Sequence, residues 1–159
     1  MKNSNKPLNI VICSLVKDDS ILLIKREKGP YKGRYALIGG KVEFNEHIRE
    51  AAIRETKEET GLETEFISLN GIISEKLSGD EEKHFLLYLV YLEPKSFQVE
   101  ESEEGKVEWI RFDDLENIDI IPSDFFMIEK IIKQKNKGYF ECEMILNNQD
   151  LEIVKFDKL

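Results

Sequence analysis

Apolar and polar positions follow two different periods along the chain. Leu8 to Val16 is an apolar, β-branched run, Lys17-Asp18-Asp19-Ser20 is polar, and Ile21 to Lys25 is apolar again. A run, a polar turn and a returning run predict a hairpin. Arg26 to Arg34 carries two glycines, a proline and five charges and predicts an exposed loop. A short strand from Tyr35 to Ile38 is expected to stop at Gly39-Gly40. From about Glu46 to Thr60 the period becomes helical, with Ile48, Ala51, Ala52 and Thr56 on one stripe and Gly61 placed to end the helix.

The remainder returns to strands and one more helix. Leu62 to Lys76 and Lys83 to Leu92 read as long strands joined by a turn at Ser78-Gly79-Asp80, and Lys106 to Arg111 as another strand. Pro122-Ser123 opens a second helix from Asp124 to about Lys135, with Ser123 as its N-cap and Gly138 past its end. Tyr139 to Phe156 alternates as a terminal hairpin turning at Asn147-Asn148. Interleaved strands and helices, several of the strands in hairpins, favour a mixed sheet with helices packed on it over a doubly wound parallel sheet. The pattern predicts an α/β sandwich.

The length of 159 residues suits one domain, residues 1–159. Lys plus Arg number 23 against 32 Asp plus Glu, a net charge of −9. Such a surface repels a phosphate polymer, which argues against long DNA or RNA as a partner. Small anionic substrates remain open if a metal ion or a local group of Lys and Arg reverses the field within a site. The two cysteines, Cys13 and Cys142, stand far apart and outside any metal-ligand spacing, as reduced structural thiols of a cytoplasmic protein would. No apolar stretch approaches the roughly 20 residues of a membrane span, and no early apolar run carries a signal-peptide cleavage pattern.

Candidate chemistry concentrates between Gly40 and Leu62. Glu55, Glu58 and Glu59 fall at i, i+3 and i+4 of the predicted helix and project from one face. Arg54 is placed to pair with Glu58 at i+4, and Lys57 relieves part of the remaining repulsion. Clustered carboxylates are the usual ligands of a hard divalent cation such as Mg²⁺, and the preceding Gly39-Gly40 lets backbone come close to an ion or phosphate. The same three glutamates also suit a plain solvated acidic face.

The full spacing decides between these. Gly40, five residues, Glu46, seven residues, Arg54-Glu55, two residues, Glu58-Glu59, one residue, Gly61-Leu62 resembles the signature of the Nudix hydrolase family. The preceding Tyr35-Ala-Leu-Ile38-Gly-Gly-Lys-Val-Glu resembles the lead-in to that signature, with Ile38 where proline is frequent. Thr56 departs from the family's aliphatic residue, a mild change on the packed side of the helix. The resemblance implies a Nudix-type α/β/α sandwich, a mixed sheet with helices on both faces. It also implies hydrolysis of a nucleoside diphosphate linked to another moiety, with Mg²⁺ or Mn²⁺, by attack of water on phosphorus. Glu58 and Glu59 match cation-holding carboxylates, joined by the carbonyl of Gly40 or Gly39. Glu55 matches a residue that binds metal or orients the water, and Arg54 the arginine that holds a helix carboxylate. Glu46 looks structural or an outer ligand. A further carboxylate is common on a later loop, and among Glu100, Glu101, Glu103 and Glu104 the candidate is Glu104.

Substrate-side candidates lie outside the signature. Arg26, Lys28, Lys32 and Arg34 make a basic loop that suits phosphates or simply solvent, and Tyr35, Gly39 and Lys41 line the strand after it. Ile121-Pro122-Ser123-Asp124 resembles the segment where MutT-type members set Asn or Asp against a purine edge, so Asp124 is a base-binding candidate as well as a helix first-turn acid. Phe125, Phe126 or Tyr35 would then lie near the ring. His47 and His84 read as structural. The resemblance makes a purine nucleoside triphosphate, oxidised or not, the first substrate expectation and ADP-ribose or a nucleotide sugar the second. A nucleotide-binding sensor is a third reading, although such domains typically lose glutamates that are all kept here. Isoprenoid diphosphate isomerisation would need a nucleophilic Cys and an acid in the pocket, and Cys13, on an early strand, has no motif to support it. Homodimers are frequent in the family, and nothing in the sequence marks an interface.

Overall fold

The first apolar run does not fold as one arm of a hairpin. In the computed structural model, which describes residues 6–79, 82–147 and 149–159, β1 is Leu8–Ser14 and the chain bends at the fully buried Leu15. Only the two-residue β2, Val16–Lys17, turns back through Asp18, in the left-handed region at φ 50°, onto β3, Ser20–Arg26. β1 instead runs antiparallel to β4, Tyr35–Lys41, and parallel to β6, Lys83–Pro94. Its side chains are apolar on both faces, as a central strand covered on both sides requires. Val11 and Cys13 enter one core, and Ile10 and Ile12 pack on the other.

The remaining elements are α1, Ile48–Thr60; β5, Thr64–Leu77; β7, Gly105–Arg111; a short 3₁₀ turn at Phe112–Asn117; α2, Pro122–Gln134; β8, Phe140–Asn147; and β9, Asp150–Lys158. The strand order is β2-β3-β4-β1-β6-β5-β8-β9, with β7 on the free edge of β3. α1 buries Ala51, Ala52 and Thr56 toward the Val11–Cys13 face. α2 buries Met127, Ile128 and Ile131 toward Ile73, Leu87 and Phe140 on the opposite face. This is the mixed-sheet sandwich that the pattern predicted.

Boundaries moved where local chemistry had alternatives. α1 begins after His47, whose ring accepts from the Arg49 N–H at 3.1 Å, two residues later than predicted. It closes as expected at Gly61, at φ 78°, whose N–H reaches the Lys57 carbonyl. Ser123 does not cap α2. Pro122 takes the first helical position, where no N–H is needed, so Ile121 becomes the capping position and Ser123 is buried inside the first turn. That helix ends at Lys135, itself left-handed at φ 52°, three residues before Gly138. The terminal hairpin forms, with β8 parallel to β5 and β9 on the sheet edge. Asp80 and Asn148 of the two predicted turns lie outside the described residues. Among the described residues no helix is long and apolar enough to cross a membrane.

One feature of the sheet positions the site. β4 pairs with β3 through Tyr35, Ala36 and Leu37, then with β1 from Ile38 to Lys41. Where it changes partner, the sheet splits, and backbone amides near the split are left to find other acceptors.

Candidate active site

Arg54 is the hub of the acidic face of α1. Its guanidinium makes a bidentate pair with Glu46, Nε to Oε2 at 2.7 Å and Nη2 to Oε1 at 2.9 Å. Nη1 donates to Glu55 at 2.8 Å and to Glu58 at 3.3 Å, and Nη2 also donates to the Lys41 carbonyl at 3.0 Å. The fork shape of arginine allows this division of donors. Glu46 is thereby held well below the usual range, at about 2, chiefly by Arg54, and its Oε1 also accepts from the Glu43 N–H at 3.0 Å. Lys57 turns away to Glu63, at 2.6 Å, and so does not relieve the cluster as predicted.

Two glycines bring backbone against the carboxylates. A Cβ on Gly40 would collide with the Glu55 carboxyl, and one on Gly39 with the Val11 carbonyl. The Glu59 Oε2 accepts from the Gly39 N–H at 3.1 Å, and this side chain is 8% exposed. Burial pushes Glu59 up to about 8, and the charges of Glu55 and Glu104 add to the rise. Glu55 is raised as well, by burial against the counter-pull of Arg54. Glu58 is the outermost of the three, its side chain 59% exposed.

Among the described residues no three His, Cys, Asp or Glu side chains already converge on one point. The donor set nonetheless fits a hard divalent cation: oxygen atoms only, backbone at Gly39 and Gly40, and negative charge that Arg54 leaves partly uncompensated. Glu55, Glu58 and Glu59 with the Gly39–Gly40 backbone are the available ligands. Glu104 is exposed on the loop before β7, near enough for its charge to be felt at Glu59, and its carbonyl accepts from the Glu27 N–H at 3.1 Å.

The substrate-side candidates separate. The Arg34 guanidinium bonds Asp119 through Nε at 3.1 Å, and the Ile120 carbonyl at 3.2 Å and Gln149 at 3.1 Å through Nη2. It anchors the loop. Tyr35 sends its hydroxyl to Glu108 at 3.1 Å, and Phe126 packs edge-on to Phe156. The Lys41 side chain is exposed. Arg26 does face the site: its charge acts on both Glu59 and Asp124, and its Nε is buried without a partner. Asp124 is buried, accepts from the Leu37 N–H through Oδ2 at 2.8 Å, and is pushed up to about 7 by burial.

Glu75 on β5 completes this buried group and was not anticipated. It is 7% exposed, its charge acts on Asp124 and on Tyr31, and its Oε2 has no hydrogen-bond partner. A signal was present in the alternation Ile73, Glu75, Leu77, in which a carboxylate occupies an apolar position. Cys13, by contrast, is fully buried behind α1, points its thiol at the Ala52 carbonyl 3.8 Å away and is pushed up to about 12. No thiolate is available there for isomerase chemistry.

Residues 6–130 match the family model described as NUDIX domain. The chain belongs to the Nudix family. An ADP-ribose pyrophosphatase of Methanocaldococcus jannaschii is 40% identical over 117 residues, which is 74% of this chain and 66% of that relative. An oxidized purine nucleoside triphosphate hydrolase of Mus musculus is 28% identical over 130 residues, 81% of this chain and 83% of the relative. A solved Nudix hydrolase from Nitrosomonas europaea superposes with a TM-score of 0.78 at 21% identity, over 92% of this chain and 82% of that one. Nudix hydrolases act on small nucleotide substrates and are generally dependent on a divalent metal. The terminal hairpin β8–β9 lies beyond the matched residues.

Proposed function

We propose that this Nudix protein is a Mg²⁺-dependent pyrophosphohydrolase of a purine nucleotide, first a purine nucleoside triphosphate (oxidised or not) cleaved to the monophosphate and pyrophosphate. The observation that carries the reading is the contact of the Gly39–Gly40 backbone with Glu55 and Glu59, two carboxylates held in surplus negative charge. Bound there, Mg²⁺ or Mn²⁺ would neutralise phosphate charge and lower the barrier to attack by water. Glu55, Glu58 and Glu59 hold the cation, with Glu104 as a further ligand from its loop. Glu55 also stands where a base orients water. Arg54 fixes Glu55 and Glu58 in place, and Arg26 offers its charge to the phosphates beside Glu59.

Asp124 and the strand beside it hold the nucleoside end. A second reading, an ADP-ribose pyrophosphatase, is favoured by the 40% identical relative of that name. The retained Glu55, Glu58, Glu59 and Arg54 support turnover over mere binding.

The test is a Mg²⁺-dependent hydrolysis screen of nucleoside triphosphates and nucleotide sugars, wild type beside Glu58→Gln, with products identified by mass. Monophosphate and pyrophosphate from triphosphates uphold the first reading. AMP and ribose phosphate from ADP-ribose uphold the second. Full activity in Glu58→Gln removes Glu58 from the site, and tight binding with no turnover replaces the enzyme by a sensor.

A further inference from the structure

The α2 face of the sheet buries two polar groups: Ser14 and Asn70, which bond Asn136 and Gly138 past the end of the helix, and a strip of acids at its start. Ile73, Leu87, Phe140 and Met144 pack there as a core, yet Glu75 and Asp124 are buried beside them. Ser123 lies next to both carboxyl groups, and the half-buried Tyr31, in the loop before β4, feels the charge of both. Arg26 continues the strip toward Glu59. Asp124 is accounted for by the Leu37 N–H, whereas Glu75 has the Ser123 hydroxyl beside its carboxyl and no well-formed partner at Oε2. A buried acceptor left empty costs about 1–3 kcal/mol, more when charged, and a leucine at this position would remove the cost. A group kept at such expense within reach of the catalytic face is accounted for by a donor that arrives with the ligand.

We propose that Glu75 is a specificity-determining residue: its unpartnered carboxylate oxygen accepts a hydrogen bond from the exocyclic amine of a purine lodged between Tyr31 and the first turn of α2. This rests on the reading of the protein as a purine nucleotide hydrolase. Where both carboxyl groups are ionised, against the rise that burial gives each of them, the pair selects for N–H donors and against a carbonyl edge, which would meet them acceptor to acceptor, so the comparison is made above pH ~8. A guanine-type base offers its 2-amino group and an adenine its 6-amino group. Hypoxanthine has neither.

The experiment compares GTP, ATP and ADP-ribose with ITP and with the hypoxanthine form of ADP-ribose, in wild type, Glu75→Leu and Glu75→Gln. Values of kcat/KM are measured with Mg²⁺, and dissociation constants by calorimetry with Ca²⁺ in its place. Wild type should favour one amine-bearing purine over its hypoxanthine counterpart by about 10–100-fold, the range of a hydrogen bond to a buried charge. Preference for GTP over ITP names the 2-amino group, and preference for ATP or ADP-ribose over its hypoxanthine form names the 6-amino group. In Glu75→Leu the ratio should fall to about one, with hypoxanthine binding undiminished and the melting temperature raised. Glu75→Gln, which keeps the side-chain length, should retain the fold and lose most of the ratio if the leucine variant does not fold. A melting temperature that rises while the ratios stay at wild-type values would make Glu75 merely structural and overturn the proposal. Equal binding of all purines by wild type would also overturn it. Absence of turnover with amine-selective binding would overturn the hydrolase reading and leave Glu75 its role.

Discussion

Asp124 and Glu59, which come from helices on opposite faces of the sheet, are held by amide N–H groups two residues apart on β4. Leu37 donates to Asp124 at 2.8 Å and Gly39 to Glu59 at 3.1 Å. These amides flank the point where β4 leaves β3 and joins β1. The strand therefore sets the separation of the two buried acids, about 6.6 Å along its axis from the rise per residue. The carboxylates satisfy the amides that the split strands do not, so the site and the split depend on each other.

Gly40 tests how closely backbone must approach. Gly40→Ala places a methyl group on the Glu55 carboxyl, which has Arg54 on its other side. We expect a folded protein, less stable by about 1–3 kcal/mol. The rate of metal-dependent hydrolysis should fall by about 10²-fold, the cost of a misplacement near 1 Å. Thermal melts and steady-state rates at saturating Mg²⁺ check both. Activity within threefold of wild type would show that the glycine serves folding only.

Arg54→Lys keeps the charge and loses the fork. One ammonium cannot serve Glu46 bidentately and also reach Glu55, Glu58 and the Lys41 carbonyl. Stability should drop by about 1–3 kcal/mol as part-buried carboxylates lose their partner. The kcat value should fall more than KM changes, because Glu55 is displaced while the nucleoside end is untouched. A variant with wild-type kcat would separate the arginine from positioning of Glu55.

The signature between Gly40 and Leu62 was legible because ligand chemistry and helix period act over neighbouring residues. Glu46, Arg54, Glu55 and Glu58 meet as their spacing on α1 and its lead-in requires. What the sequence concealed depends on long-range geometry. Arg34 reads as a contact for phosphates or for solvent, and nothing local announces the Asp119 and Gln149 that the fold brings to it from 85 and 115 residues away. Ser123 reads as a cap because Ser favours that place, but Pro122 took the first turn and left the hydroxyl to buried acids. β1 and β3 read as hairpin partners by proximity in sequence. Burial of β1 on both faces favoured the strands on either side of it instead. Glu75 sits on a strand whose register shifts between Phe66 and Gly71. Its inward phase is therefore not given by the start of β5, and only the local alternation of Ile73, Glu75 and Leu77 beyond the bulges shows it.

Thr56 offers a change in the other direction. It is fully buried beside Cys13, and its hydroxyl makes no well-formed hydrogen bond. Thr56→Val replaces the hydroxyl by a methyl group of similar size. We expect a gain of about 1 kcal/mol, the lower end of the cost of an unmet buried hydroxyl, with hydrolysis unchanged within twofold. Loss of stability on urea denaturation would mean that the hydroxyl holds Cys13 or the helix in a way that valine cannot.

Asp124 should give the protein a pH-dependent stability that an amide removes. Its carboxyl is pushed from the ordinary 3.8 up to about 7 by burial and, further, by Glu75, against the pull of the Leu37 N–H, Arg26 and Ser123. The folded state thus holds the proton more tightly than the unfolded chain. The contribution of this group is full below pH ~4 and is lost as pH rises toward about 7. The side-chain amide introduced by Asp124→Asn would be neutral throughout and would still offer an oxygen to the Leu37 N–H. Denaturation of Asp124→Asn and wild type in the absence of metal and nucleotide should give equal stabilities near pH 4. Above pH 8 the variant should be the more stable, by on the order of a few kcal/mol. Parallel curves for the two proteins across that interval would mean that Asp124 ionises as freely in the fold as in water, and its burial beneath Leu37 would then not be the environment that sets its charge.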